Sequence, residues 1–199
     1  EGNDTYESGN WSLGTGYWYG TGIVYEGGGD DLYRSVYFTQ ASGAHFCIGA
    51  IIDEGGDDRH VLYDTGGAGL AFGWDFTTAL LIDIGGDDSY EARGNSIARA
   101  DIRSNALLID IGGDDSYTFP EKAGGVGISP FSDRYRRPGY SYGPYSFYGH
   151  SFGLLLDIGG RDEYLDLDPA TGATEPSSRY FDDHTWLQPQ PSEGEDAYR

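Results

Sequence analysis

The feature that most constrains this chain is a six-residue motif, Gly-Gly-Asp-Asp-x-Tyr, repeated at a nearly fixed interval. It stands complete as Gly28-Gly29-Asp30-Asp31-Leu32-Tyr33, as Gly85-Gly86-Asp87-Asp88-Ser89-Tyr90 and as Gly112-Gly113-Asp114-Asp115-Ser116-Tyr117. Gly159-Gly160-Arg161-Asp162-Glu163-Tyr164 carries Arg161 for the first Asp, and Gly55-Gly56-Asp57-Asp58 has His60 in place of Tyr. Gly2-Asn3-Asp4-Thr5-Tyr6 is a truncated first copy, and Gly194-Glu195-Asp196-Ala197-Tyr198 a degenerate last one. With the second Asp as marker, Asp4, Asp31, Asp58, Asp88, Asp115, Asp162 and Asp196 follow one another at steps of 27, 27, 30, 27, 47 and 34 residues.

A matching apolar segment precedes each internal motif: Ile23-Val24-Tyr25-Glu26, Ala50-Ile51-Ile52-Asp53, Leu80-Leu81-Ile82-Asp83, Leu107-Leu108-Ile109-Asp110 and Leu154-Leu155-Leu156-Asp157. Runs this short, bounded by a small residue and a Gly-Gly turn, read as buried strands and not as helices. One strand cannot bury its own apolar face, but copies stacked at about 4.8 Å build a continuous core. The predicted fold is therefore all-β, a parallel β-solenoid (β-helix) of about 27-residue coils. The 33 glycines and 17 tyrosines and the absence of Met suit that reading and disfavour helices.

The 47-residue step predicts one long loop insertion near 120–150, within a solenoid domain spanning 1–164. No Leu-Leu-Leu-Asp strand precedes the last motif, so 165–199 reads as an irregular C-terminal tail. Strand alternation places the first and third residues of each apolar segment on one face. Ile23/Tyr25, Ala50/Ile52, Leu80/Ile82, Leu107/Ile109 and Leu154/Leu156 are expected to point inward. The second residues are apolar too, so the alternative is a reversed facing, with the acids turned into the corner of the coil.

Stacking brings the acids into ladders. The strand acids are Glu26, Asp53, Asp83, Asp110 and Asp157, and the turns add Asp30, Asp31, Asp57, Asp58, Asp87, Asp88, Asp114, Asp115 and Asp162. Two carboxylates about 4.8 Å apart repel by about 3 to 4 kcal/mol at an effective dielectric near 20. Proton uptake, outward splaying into water, hydrogen bonds from the turn amides or a divalent cation would offset this. Calcium is the best chemical fit: it accepts six to eight oxygens in tolerant geometry, whereas zinc wants His or Cys. The candidate metal ligands are Asp30, Asp31, Asp53, Asp57, Asp58, Asp83, Asp87, Asp88, Asp110, Asp114, Asp115, Asp157 and Asp162. A solvated acidic ladder without metal is the alternative.

These motifs resemble the Gly-Gly-x-Gly-x-Asp-x-apolar repeat of the RTX calcium-binding β-roll proteins, with Asp88 and Tyr90 matching the Asp-x-apolar element. The likeness covers about six residues per unit. The period is 27 here and nine in that family, and Asp or Arg161 stands where its second Gly often sits. The resemblance implies calcium held between stacked coils and an extracellular or cell-surface location.

A formal charge of −21 argues against nucleic acid, and no apolar run approaches the roughly 18 residues of a membrane span. Cys47 is the only cysteine, which rules out an intramolecular disulfide within these residues. No catalytic residue is assigned. The Asp pairs recur in nearly every coil, as scaffold residues do, and His150 has no partner motif. His60 replaces a stacking Tyr, so a packing role is expected, and Tyr6, Tyr33, Tyr90, Tyr117 and Tyr164 should form a ladder. Asp182-Asp183-His184 reads as a solvated polar loop.

Within the insertion, Arg134, Arg136 and Arg137 form the one basic cluster, set among Tyr135, Tyr140, Tyr142 and Tyr145; these seven are candidate partner-binding residues for carbohydrate or an acidic surface. The expected function is that of a non-enzymatic extracellular structural repeat protein, a calcium-stabilised solenoid that associates end to end into filaments, a surface layer or an adhesin. The alternatives are a carbohydrate-active β-helix enzyme and a glycan-binding solenoid module.

Overall fold

The computed structural model describes residues 2–64, 66–120, 151–178 and 180. Within them the chain is a parallel β-solenoid whose coil has four short sides. The first circuit runs through β1 (Thr5–Glu7), β2 (Asn10–Ser12), β3 (Gly16–Tyr17) and β4 (Thr21–Glu26). Gly28, Gly29, Asp30 and Asp31 then turn the chain into β5 (Leu32–Ser35), which pairs in parallel with β1. The second circuit continues through β6 (Tyr37–Thr39), β7 (Ser42–Ala44) and β8 (Ile48–Asp53).

The third circuit comprises β9 (Arg59–Leu62), β10 (Ala68–Gly69), β11 (Phe72–Trp74) and β12 (Thr78–Ile84). The fourth comprises β13 (Ser89–Ala92), β14 (Asn95–Ser96), β15 (Arg99–Asp101) and β16 (Asn105–Ile111). Then come β17 (Ser116–Pro120), β18 (Phe152–Ile158), β19 (Glu163–Leu167) and β20 (Thr174–Pro176), the last antiparallel to β19. The sheets are thus β1-β5-β9-β13-β17-β19-β20, β2-β6-β10-β14, β3-β7-β11-β15 and β4-β8-β12-β16-β18.

The repeats pair in register: Tyr90 with Tyr117, Leu81 with Leu108, and Asp83 with Asp110. The 30-residue step leaves this register intact because its three extra residues fall between β9 and β10, where the Gly67 amide donates to the Asp64 carbonyl at 2.9 Å. Beyond that turn Gly69 pairs with Thr39 as required.

The facing expectation is overturned, and the reversed alternative holds. Ile51, Leu81, Leu108 and Leu155 point into the core, while Leu80, Ile82, Leu107, Ile109, Leu154 and Leu156 are half-buried on the outer face. Ile23 and Tyr25 are exposed; Ala50 is buried on that outer face. Asp53, Asp83 and Asp110 accompany the inward residues and are fully buried. The reason lies at the coil corner: period-two alternation ties each acid to the second apolar residue, and the tyrosine hydroxyls inside the coil receive that acid.

Two corners in each coil are turned by consecutive left-handed residues that are mostly not glycine. One is Gln40-Ala41, Leu70-Ala71 and Ile97-Ala98; the other is Trp18-Tyr19, His45-Phe46, Asp75-Phe76 and Ile102-Arg103. Each such residue costs about 1–2 kcal/mol. Burial of Leu70, Ala71, Ile97 and Ala98 offsets this at the first corner, and ring stacking of Phe46 on Phe76 at 4.6 Å does so at the second.

Candidate metal centre

Each Gly-Gly-Asp-Asp turn contributes two carboxylates with different tasks. The first Asp faces water and caps the coil after it: the Asp57, Asp87 and Asp114 amides donate to Asp30, Asp57 and Asp87 at 3.1, 2.9 and 2.9 Å. The second Asp is buried and caps the coil before it. The Asp31, Asp58 and Asp88 amides donate to Oδ1 of Asp58, Asp88 and Asp115, each at 2.7 Å. The pairing of two Asp residues therefore satisfies two turn amides per coil that no strand ladder reaches.

The glycines permit this close stacking. Gly113 has φ +145°, and a Cβ there would lie 1.6 Å from the Gly86 carbonyl oxygen.

The strand acids are held from the other side. Tyr90, Tyr117 and Tyr164 hydroxyls donate to Oδ2 of Asp83, Asp110 and Asp157 at 3.0, 3.0 and 3.4 Å. Tyr33 donates to Asp53 at 2.5 Å, and Tyr6 to Glu26. The rings form one continuous stack with His60 in place, centroid spacings running from 4.5 to 5.0 Å. His60 packs in the stack as expected, while its Nδ1 meets Gln40 Oε1 at 3.0 Å and its Nε2 meets Asp83 at 3.3 Å.

With one oxygen so fixed, the other is left over in every one of these buried Asp except Asp53, whose Oδ1 accepts from the Gly55 amide at 3.3 Å. Oδ2 of Asp31, Asp58, Asp88 and Asp115, and Oδ1 of Asp83, Asp110 and Asp157, have no hydrogen-bond partner among the described residues. These seven residues, with Asp53 and Asp162, make up four stacked triads: Asp31/Asp53/Asp58, Asp58/Asp83/Asp88, Asp88/Asp110/Asp115 and Asp115/Asp157/Asp162. Oxygens of a triad lie within 4.8 Å of one another, a separation that two ligands of one calcium ion span at about 2.4 Å each. The triads can hold cations.

Burial first, and the neighbouring Asp charges second, push the carboxyls far above their ordinary range: Asp58 and Asp110 to about 8, Asp88 to about 9, and Asp115 and Asp157 to about 6. At Asp58, Asp115 and Asp157 a hydrogen bond pulling the other way comes second, and the charges follow it. Glu26 moves the other way, lowered chiefly by the Tyr6 hydroxyl and the Gly27 amide.

Of the thirteen predicted ligands, nine meet in the triads, and Asp30, Asp57, Asp87 and Asp114 lie apart in the exposed ladder. Arg134, Tyr135, Arg136, Arg137, Tyr140, Tyr142, Tyr145, His150 and Asp182-Asp183-His184 lie outside the described residues. The sequence reading missed the tyrosines as partners of the acids. The signal was present, for Asp83, Asp110 and Asp157 each stand seven residues before a Tyr across the turn. Cys47 is buried against the Ala44 carbonyl and Thr77, and burial raises its thiol.

The fold and the site define a parallel β-solenoid with an internal column of carboxylates. Comparison with protein families, with curated proteins and with solved structures finds no match for the chain.

Proposed function

We propose that this is an extracellular structural protein, a solenoid stabilised by one divalent cation per coil interval, with calcium as the ion. The observation that carries the reading is the column of seven buried Asp oxygens without a hydrogen-bond partner among the described residues, all on members of the four triads. Charge balance supports a divalent ion. Each coil adds two buried Asp, one from the strand and one from the turn, which one dication neutralises. The four triads share nine carboxylates, so four dications leave a single negative charge.

Oxygen donors alone, without imidazole or thiolate, suit calcium over zinc. Backbone amides and tyrosine hydroxyls orient the ligands from behind, as outer partners do in metal sites. Calcium modules of moderate affinity work at the 10⁻⁴–10⁻³ M levels found outside cells. Near-equivalent triads in successive coils fit a load-bearing scaffold better than a catalytic centre, which needs one distinct constellation. End-to-end association of such coils through their strand edges belongs to the same proposal.

Elemental analysis of protein purified without chelator, followed by melting with and without a calcium chelator at neutral pH, tests it. The expected result is bound calcium in several-fold molar excess over chain and a fall in melting temperature on chelation. At 100-fold saturation each site contributes about 2.7 kcal/mol, worth several degrees in a chain of this size. Metal-free protein with an unchanged melting temperature overturns the proposal.

A further inference from the structure

On the sides of the coil away from the aspartate column lies a second cluster of rings, separate from the main core and centred on Phe38, Ala44, Ala68 and Phe72. It floors an open groove of about 480 Å³ walled by Trp11, Tyr17, Tyr37 and Trp74. Register creates the concavity. Tyr17, Ala44, Trp74 and Asp101 form one column across β3, β7, β11 and β15. The small Ala44, only 2% exposed, therefore forms part of the floor beneath the larger rings around it. Trp11 stacks on Phe38 at 4.4 Å and 12°, yet remains 42% exposed, and Tyr17 is 48% exposed. A concave aromatic site with a few polar groups at its edge has the make-up of a ligand site.

The polar groups narrow the ligand class. Arg99 pairs with Asp101 at 3.2 Å, and both line the groove. His45, also lining it, pairs with Asp75 at 2.7 Å. The Arg99–Asp101 pair sets donors and acceptors side by side with little net field, and His45 adds a ring nitrogen, which suits hydroxyl groups and not an ionised ligand. The chain's charge of −21 opposes polyanions. A run of proline, which also docks in aromatic grooves, has no N–H or O–H to donate to the groove's acceptors. A neutral sugar has flat C–H faces for the rings and hydroxyls that both donate and accept.

We propose that this groove binds a neutral oligosaccharide, with a sugar ring laid against the exposed rings of Trp11 and Tyr17. The site is independent of the cation column and shares no residue with it.

Calorimetric titration of the full chain in calcium, with hexasaccharides of glucose, mannose, xylose and N-acetylglucosamine and with deca-proline, tests the assignment. At least one hexasaccharide should bind saturably. Tyr17→Ala and Trp11→Ala should each weaken it by about tenfold or more, the worth of one aromatic contact. Tyr17→Phe should keep binding, with circular dichroism unchanged in each variant. If Trp11→Ala fails to fold, the exposed Tyr17 supplies the decision through its Ala and Phe variants. Absence of binding by every hexasaccharide at millimolar concentration, binding indifferent to Tyr17→Ala, or preference for deca-proline would each overturn the proposal.

Discussion

The Asp58 amide donates to Oδ1 of Asp88 at 2.7 Å, and that one bond aims Oδ2 of Asp88 into the interval between coils. Repeated from Asp31 to Asp115, it converts a turn-capping device into a row of inward-facing ligands. The capping needs only the first oxygen. The second is what a cation, or failing that a proton, must satisfy.

Asp88 belongs to two of the four triads. Asp88→Asn keeps an oxygen for the Asp58 amide but removes the charge, so calcium affinity should fall by about tenfold or more at two sites. The metal-free chain should be no less stable, because Asn is buried neutral without taking up a proton. Asp87→Asn, in the exposed ladder, is the control and should leave calcium stoichiometry unchanged. Equal loss in both variants, read by calorimetry, would refute the division of labour.

A carboxyl whose folded pKa lies above its unfolded value near 4 holds a proton that the unfolded chain has already released. Between the two values folding takes up protons, so this contribution is whole below about pH 4 and lost as pH rises through the folded pKa. For Asp58, Asp88 and Asp110 that loss extends to about 8, 9 and 8. Metal-free protein should therefore melt at progressively lower temperature from mildly acidic to mildly alkaline pH, and calcium should restore it at the alkaline end. A melting temperature that rises over that range without metal contradicts the buried column.

Gly112 and Gly113 are adjacent, both left-handed, and should respond unequally to alanine. A Cβ on Gly112 meets nothing within 4 Å, so Gly112→Ala should cost only the backbone strain of about 1–2 kcal/mol. At Gly113 a Cβ would lie 1.6 Å from the Gly86 carbonyl oxygen, and the stacked turns would have to separate. Overpacking of this kind adds about 1–3 kcal/mol or more to the strain. Denaturant unfolding of the two variants, side by side, gives the comparison.

Leu107 and Leu108 provide the same contrast for the strand. Leu108 is fully buried, so Leu108→Ala should cost about 2–5 kcal/mol. Leu107 is half-buried on the outer face, and its replacement should cost about 1 kcal/mol. Reversal of that order in urea melts would restore the facing that simple alternation from the first residue suggests.

The repeat alone determined the fold class, the coil length and the identity of the stacked residues. A 27-residue period with in-register apolar segments leaves few ways to bury them, and Gly-Gly-Asp-Asp marks its turn by composition. Nine of the thirteen ligand candidates were legible for the same reason, since equivalent positions in a solenoid become neighbours. Tertiary structure decided which face of Leu80-Leu81-Ile82-Asp83 is inside. Both faces are apolar, and the deciding partner, the Tyr90 hydroxyl, reaches Asp83 only once the turn has folded.

It also separated Asp87 from Asp88, whose adjacent side chains diverge to water and to the core because strand alternation resumes at the turn's end. The remaining two sides of each coil were illegible. Their corners are made by residues such as Leu70-Ala71 and Asp75-Phe76, which carry no turn signal and take left-handed conformations only because packing and stacking between coils offset the strain. The aromatic groove was hidden for the same reason: Tyr17, Ala44 and Trp74 become a column only when those corners bring three coils into register.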